Sequence, residues 1–131
     1  MRNAPWFLGI DLGTGSCKSV AIDARGQVLG FAAGEYSGAE AMGRWQEQDP
    51  GDLWRAAVAS VRAAVARAEV DPRGCAGLSI GGALHSLRAL DRHGAPLTGV
   101  ITWADGRAVA QAEAVRRHRK LLRKRMEREG Y

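Results

Sequence analysis

Gly9-Ile10-Asp11-Leu12-Gly13-Thr14-Gly15-Ser16-Cys17-Lys18 is the stretch on which the fold turns. An apolar run that begins at Trp6 ends on an acid at Asp11, small residues reverse the chain, and Lys18 opens the next strand. Ser19-Val20-Ala21-Ile22-Asp23 then resumes strand composition. Glycines such as Gly13 and Gly15 let main-chain N–H groups approach phosphate oxygens closely, and the hydroxyls of Thr14 and Ser16 add donors. Asp11 is placed to hold Mg2+, directly or through water, because that ion usually keeps several waters. Two other phosphate motifs fail here. A P-loop needs Gly immediately before its Lys, where this chain has Cys17; a dinucleotide fingerprint needs a third Gly at Lys18, and a helix where this chain has a strand. Taken alone, the stretch leaves two readings open, a phosphate-binding turn and a Gly-rich hairpin without a ligand.

Downstream, Asp23-Ala24-Arg25-Gly26 has turn chemistry and Gln27 to Phe31 reads as a third strand, so the first 31 residues predict an antiparallel meander. Residues 37–48 have little periodicity and read as a loop anchored by Trp45. Asp49-Pro50-Gly51-Asp52 is a helix start, with an Asp cap and Pro at the first helical position. Leu53, Trp54, Ala57, Val58, Val61, Ala64, Val65 and Ala68 follow at helical spacing, which predicts an amphipathic helix packed on the sheet and ended by Asp71-Pro72-Arg73-Gly74. Cys75 to Ile80 suits a buried parallel strand beside the first, with Gly81 and Gly82 at its carboxyl end. His85 to Leu90 and Leu97 to Trp103 read as paired strands around the turn Asp91-Arg92-His93-Gly94, and a helix begins near Arg107. The order predicts an α/β layer structure.

Trp103-Ala104-Asp105-Gly106-Arg107 is the second candidate site, because open α/β folds build their sites at the carboxyl ends of strands. Trp103 offers a flat apolar face to a sugar ring, Asp105 can accept from hydroxyls, and Arg107 can donate in a fork. The structural alternative is a helix N-terminus capped by Asp105, with Trp103 in the core. Of the three histidines, His85 follows the Gly81-Gly82 strand end and could face a ligand; His93 sits in a turn and His118 in the charged tail. No GxSxG and no HExxH spacing is present.

A chain of 131 residues has the size of one ordinary domain. No signal-peptide core or membrane span is expected, since Asp11 cuts the apolar run short. Cys17 and Cys75 stand apart, without the spacing of a disulfide framework or zinc site, and a reducing cytoplasm is the expected compartment. The net charge of +5 is unevenly spread: residues 116–131 carry eight basic residues and two acids, and the preceding 115 carry a net −1. A near-neutral body gives no electrostatic footprint for nucleic acid.

These pieces, in this order, resemble the FGGY family of carbohydrate kinases. The resemblance rests on Gly9-Ile10-Asp11-Leu12-Gly13-Thr14 with Lys18, Trp45-Gln46-Glu47-Gln48-Asp49-Pro50, Gly77-Leu78-Ser79-Ile80, His85-Ser86-Leu87 and Ile101-Thr102-Trp103-Ala104-Asp105-Gly106-Arg107. The last two look most like the gluconokinase/xylulokinase branch, although Ala83-Leu84 stand where that branch often has Gln-Met. The resemblance implies an α/β fold, a partial ribonuclease-H-like domain of the actin/Hsp70/hexokinase ATPase type. It implies phosphoryl transfer from ATP, with Mg2+, to a sugar or sugar-acid hydroxyl. Asp11, Gly13, Thr14, Gly15, Ser16 and Lys18 would then lie around Mg-ATP, and His85, Trp103, Asp105 and Arg107 would face the sugar.

The expected organisation is a partial N-terminal kinase domain over residues 1–115 and a basic helical tail over 116–131. Family enzymes are several times longer, so the chain is expected to be inactive alone. High-GC coding, expressed in 56 Ala, Gly and Arg residues of 131, favours a truncated or frameshifted product. The alternative is a small non-enzymatic binding or regulatory protein that acts through its basic helix.

Overall fold

The computed structural model describes residues 4–37 and 40–129. Residues 38 and 39 of the expected loop, and 130 and 131 of the expected tail, lie outside the described residues. The chain opens with β1 (Trp6–Leu12), β2 (Ser16–Asp23) and β3 (Val28–Glu35), then β4 (Glu40–Met42), β5 (Trp45–Gln48) and the helix α1 (Pro50–Ala68). A 3-10 turn (Pro72–Gly74), β6 (Cys75–Gly82), β7 (Val100–Ile101) and the helix α2 (Val109–Glu129) follow.

The main sheet has the order β3-β2-β1-β6. β1, β2 and β3 form the expected antiparallel meander, and β6 returns parallel to β1, setting Leu8 beside Leu78 and Asp11 beside Gly81. The Asp23–Gly26 turn is closed by the Gly26 N–H on the Asp23 carbonyl at 3.0 Å. A smaller sheet of order β4-β5-β7 lies where the sequence reads as a loop. β5 is Trp-Gln-Glu-Gln, so it shows no apolar alternation; its partners are strand ladders and charged side chains, neither of which marks the strand itself. Gly43, at φ +64°, opens the two-residue connection from β4 to β5 and takes the positive φ that such a tight hairpin needs at its first position.

α1 begins where expected: the Asp49 side chain accepts from the Gly51 N–H at 2.7 Å, with Pro50 in the first turn. It ends at Ala68, with Glu69 in the left-handed region at φ 52°, and Asp71-Pro72-Arg73-Gly74 forms the separate 3-10 turn. The face laid on the sheet keeps Ala64 and Ala68 of the expected stripe, with Val61 and Val65 packed beside the core, and adds Ala56 and Ser60, which lie outside that stripe. Ala56, Ser60, Ala64 and Ala68, four residues apart, are the buried positions. They meet Gly30, Ala32 and Gly34 of β3 and Cys17, Ser19 and Ala21 of β2, all small. The fit is so close that a Cβ on Gly30 would stand 2.4 Å from the Ala64 carbonyl oxygen and 2.6 Å from the Ala68 nitrogen. Ser19 and Ser60 share a hydrogen bond of 2.8 Å across this interface, and Ser60 also donates to the Ala57 carbonyl. At one end, Trp6, Leu8, Ala21, Ala68 and Val70 make the core cluster, and the Trp6 indole donates to the Asp71 carbonyl at 2.9 Å.

Leu53, Trp54 and Val58 lie off this face. Trp54 is 71% exposed, and with Leu53, Val58, Ile10, Leu12 and Ile80 it lines an open apolar groove of about 710 Å3. β6, expected to be buried, is instead an exposed edge strand, with Leu78 and Ile80 uncovered because no element among the described residues packs over them. The expected strands at 85–90 and 97–103 pair only in fragments. Leu87 and Ile101 exchange both main-chain bonds, the Leu97 N–H reaches the Ala89 carbonyl, and only Val100–Ile101 extends as a strand. His85 at φ 66° breaks the first arm, and Pro96 has no N–H to give the second. α2 follows the expected helical pattern from Val109, with no buried residue.

Gly30→Ala should push α1 off β3 and destabilise the fold by about 1–3 kcal/mol in urea denaturation. Gly15→Ala, where an added Cβ meets nothing within 4 Å, should leave the midpoint nearly unchanged. An uncharged edge beside an apolar groove should also make the chain self-associate with rising concentration. Sedimentation velocity should show that Ile80→Lys reduces this association.

Candidate functional site

The first candidate site grows from the hairpin between β1 and β2. Asp11 and Lys18 are direct cross-strand partners, and both are exposed. Because side chains alternate along a strand, they share the sheet face opposite α1. On that face Gly9, Asp11, Lys18, Ser79 and Gly81 border a shallow hollow of about 240 Å3, floored by Val20 and Phe31. The small residues of β6 keep the hollow open beside the Asp11 carboxylate.

The turn between the strands is firmly tied to the body. The Gly13 N–H donates to the Ser16 carbonyl at 3.0 Å, and the Tyr36 N–H donates to the Gly15 carbonyl at 3.3 Å. The Tyr36 hydroxyl is shared between the Gly13 and Ser16 carbonyls, and the Gln48 side-chain amide donates to the Thr14 carbonyl. Burial, with Cys17 and Asp11 nearby, raises the Tyr36 phenol above its usual range, which keeps it a donor. The sequence places Gln48 only within the Trp45–Pro50 motif, with no role of its own, and does not single out Tyr36; a tyrosine twenty residues from the turn carries no spacing signal.

Among the described residues no group of three or more His, Cys, Asp or Glu side chains could hold a metal ion. The donor chemistry at Asp11 is one exposed carboxylate beside a lysine and open space. That fits a largely hydrated Mg2+ shared with phosphate oxygens, not a dedicated all-protein cage.

The second candidate site is stitched to β5. The Thr102 N–H donates to the Gln46 carbonyl and the Gly106 N–H to the Arg44 carbonyl, each at 2.9 Å. Asp105 accepts from the Gln46 N–H at 2.9 Å and from the Arg107 N–H at 3.0 Å, while the Arg107 Nε donates to both carboxylate oxygens. Arg107 also bonds Glu47 at 2.6 Å and lies 4.0 Å from the centroid of the Trp45 ring. These charge-assisted bonds, led by that of Arg107, hold the Asp105 carboxyl well below the usual carboxylate range; the same contact raises Arg107.

Asp105 is therefore neither the cap of a helix, since α2 starts at Val109, nor a free acceptor, its side chain being 6% exposed and its oxygens engaged. Trp103 is not in the core; it is 62% exposed. The geometry brings Trp103, Asp105 and Arg107 together on one segment, with Trp45 and Glu47 behind them. His85 is exposed on the preceding arm, and among the described residues no side-chain hydrogen bond or ion pair joins it to that cluster.

A meander, a crossing helix and a parallel return strand, with an acid-ended β1 leading into a tight turn, define an α/β domain of the actin/Hsp70/hexokinase ATPase type. Residues 6–130 match the description "FGGY family of carbohydrate kinases, N-terminal domain", and the chain belongs to this family. The match runs through the whole of α2. A glycerol kinase from Thermococcus onnurineus is 27% identical over 112 residues, which is 86% of this chain and 23% of that protein. A xylulose kinase from Staphylococcus epidermidis is 30% identical over 82% of this chain and 22% of its own length. Among solved structures, a xyloylose kinase from Brucella ovis superposes with a TM-score of 0.79 at 29% identity, over 84% of this chain and 23% of that one. A gluconate kinase from Lactobacillus acidophilus shares the fold, with a TM-score of 0.78 at 24% identity, over 87% of this chain and 23% of its own. The chain spans roughly a quarter of the length of such relatives.

Asp105→Asn gives a test by pH. Its carboxyl is held low only in the folded chain, so the stability it contributes is complete above about pH 4 and is lost as pH falls toward the folded value. The urea midpoint of the variant should sit below that of the parent by a constant gap from pH 8 to 5. Below about pH 4 the gap should narrow.

Proposed function

We propose that this chain forms the phosphate-binding turn and part of the sugar face of an ATP-dependent carbohydrate kinase. The single observation that carries the reading is the Asp11–Lys18 pair, facing an open hollow beside a turn whose carbonyls are tied back to the body. In this reading Asp11 holds the magnesium ion of Mg-ATP through its carboxylate or a bound water. Lys18 and the turn Gly13, Thr14, Gly15 and Ser16 lie along the phosphates. When bound, the nucleotide supplies the phosphoryl group; positioning and charge stabilisation are the protein's part.

On the sugar side, Trp103 presents its exposed ring to the carbon face of a sugar or sugar acid, and His85 lies on the neighbouring arm. Asp105 and Arg107 complete this face by fixing the segment that carries Trp103. The names of the relatives, glycerol, xylulose and gluconate kinases, support a polyol, sugar or sugar acid as acceptor. Two free cysteines support a reducing, cytoplasmic setting. A polypeptide of these 131 residues by itself has no turnover in this reading, because a cleft built from one quarter of the parent length loses the positioning on which phosphoryl transfer depends.

A 15N-labelled chain titrated with Mg-ADP tests the reading. Amide shifts should concentrate at Gly13 to Lys18, and Asp11→Ala should abolish their dependence on Mg2+. A coupled assay with gluconate, xylulose, ribulose and glycerol should show no sugar-stimulated ADP release. Mg-ADP shifts spread over α2 instead would favour the basic helix as the working element.

A further inference from the structure

A turn that receives phosphate must keep its carbonyl oxygens away, because they carry partial negative charge. All four carbonyls of residues 13–16 are held here: Gly13 and Ser16 by the Tyr36 hydroxyl, Thr14 by the Gln48 amide and Gly15 by the Tyr36 N–H. Tyr36 follows directly on β3, and Gln48 ends β5, so the turn is gripped from two elements that reach it independently. Gln48 is buried, and its donor has no other partner among the described residues.

Resting on the kinase reading, we infer that Tyr36 and Gln48 are positioning residues of the nucleotide turn, drawing its carbonyls toward the protein so that its outer side accepts phosphate. Neither side chain touches the nucleotide in this arrangement; both act through the main chain of the turn. The same strand carries the inference further. Glu47, next to Gln48, grips Arg107, so adjacent residues of β5 tie the phosphate turn and the Trp103 segment. Loosening Gln48 therefore loosens a strut shared by both candidate subsites.

The test uses the full 131-residue chain with Tyr36→Phe, which removes only the hydroxyl, and Gln48→Glu, which replaces the donor by an acceptor of the same shape. Native-state hydrogen exchange is read at the Gly13 and Tyr36 amides, whose bonds close the turn, against Val20 and Ala21 in the sheet. Each variant should speed exchange at Gly13 and Tyr36 by about tenfold or more, with the sheet amides changed by less than about twofold. Asp71→Ala, which removes the cap of the remote 3-10 turn, controls for general destabilisation and should show no such selectivity. Mg-ADP affinity, read from the amide shifts of the turn, should fall by roughly tenfold in each variant, as for loss of one hydrogen bond that fixes a binding group. Unchanged exchange at Gly13 and Tyr36 would overturn the inference, as would faster exchange with unaltered Mg-ADP affinity. A parent chain that gives no Mg-ADP shift at the turn, yet whose turn amides respond selectively to both substitutions, would overturn the kinase reading and leave the holding of the turn established.

Discussion

The approach of α1 to the sheet over small side chains is the contact on which the rest of the structure depends. Ala56, Ser60, Ala64 and Ala68 descend onto Gly30, Ala32 and Gly34, and the backbones come nearly into contact. Close packing of this kind gains dispersion energy from many atoms at short range and leaves no room for adjustment. It fixes the height of the helix above the sheet, and with it the direction in which Asp49 and the preceding β5 leave the helix. Since β5 carries both Gln48 and Glu47, the position of each candidate site follows from this glycine–alanine contact.

The two candidate sites use polar side chains in different ways. At Asp11 and Lys18 the charges face an open hollow, and neither side chain makes an ion pair or hydrogen bond among the described residues. At Asp105 and Arg107 the charges are consumed by each other, by Glu47 and by the main chain of Gln46. A group already holding its full set of bonds has little to offer a ligand without first breaking them, whereas a lone carboxylate beside a lysine has its lone pairs available. This contrast separates residues that meet a ligand from residues that hold others in place, although both kinds belong to short motifs of similar appearance.

Elements whose signal is local were legible in the sequence. The meander follows from apolar runs broken by turn residues, α1 from its Asp-Pro start, and the parallel return of β6 from an apolar run after a helix. The family resemblance also gave the ATPase-type fold that the structural neighbours share. Elements whose cause lies elsewhere in the chain were not legible. β5 has a polar sequence because its bonds go to residues nearly sixty positions away. The burial of Ala56 and Ser60 in place of Leu53 and Trp54 depends on which small residues β2 and β3 present. The exposure of β6 reflects what lies over it, which its own composition cannot encode. Tyr36 and Gln48 escaped for the same reason, since their targets are carbonyl groups, present at every residue and therefore invisible in a sequence.

The two cysteines differ in how far this architecture covers them, Cys17 being buried and Cys75 half-buried. Cys17 is wholly enclosed under α1, where Ser60 donates to its sulfur at 3.3 Å, while Cys75 begins the uncovered edge strand. Cys75 is partly exposed to a thiol reagent in the folded chain, but Cys17 meets one only when the helix lifts from the sheet. The slower of two modification rates is therefore a built-in measure of how often the alanine face and the glycine face part company, and it needs no added label.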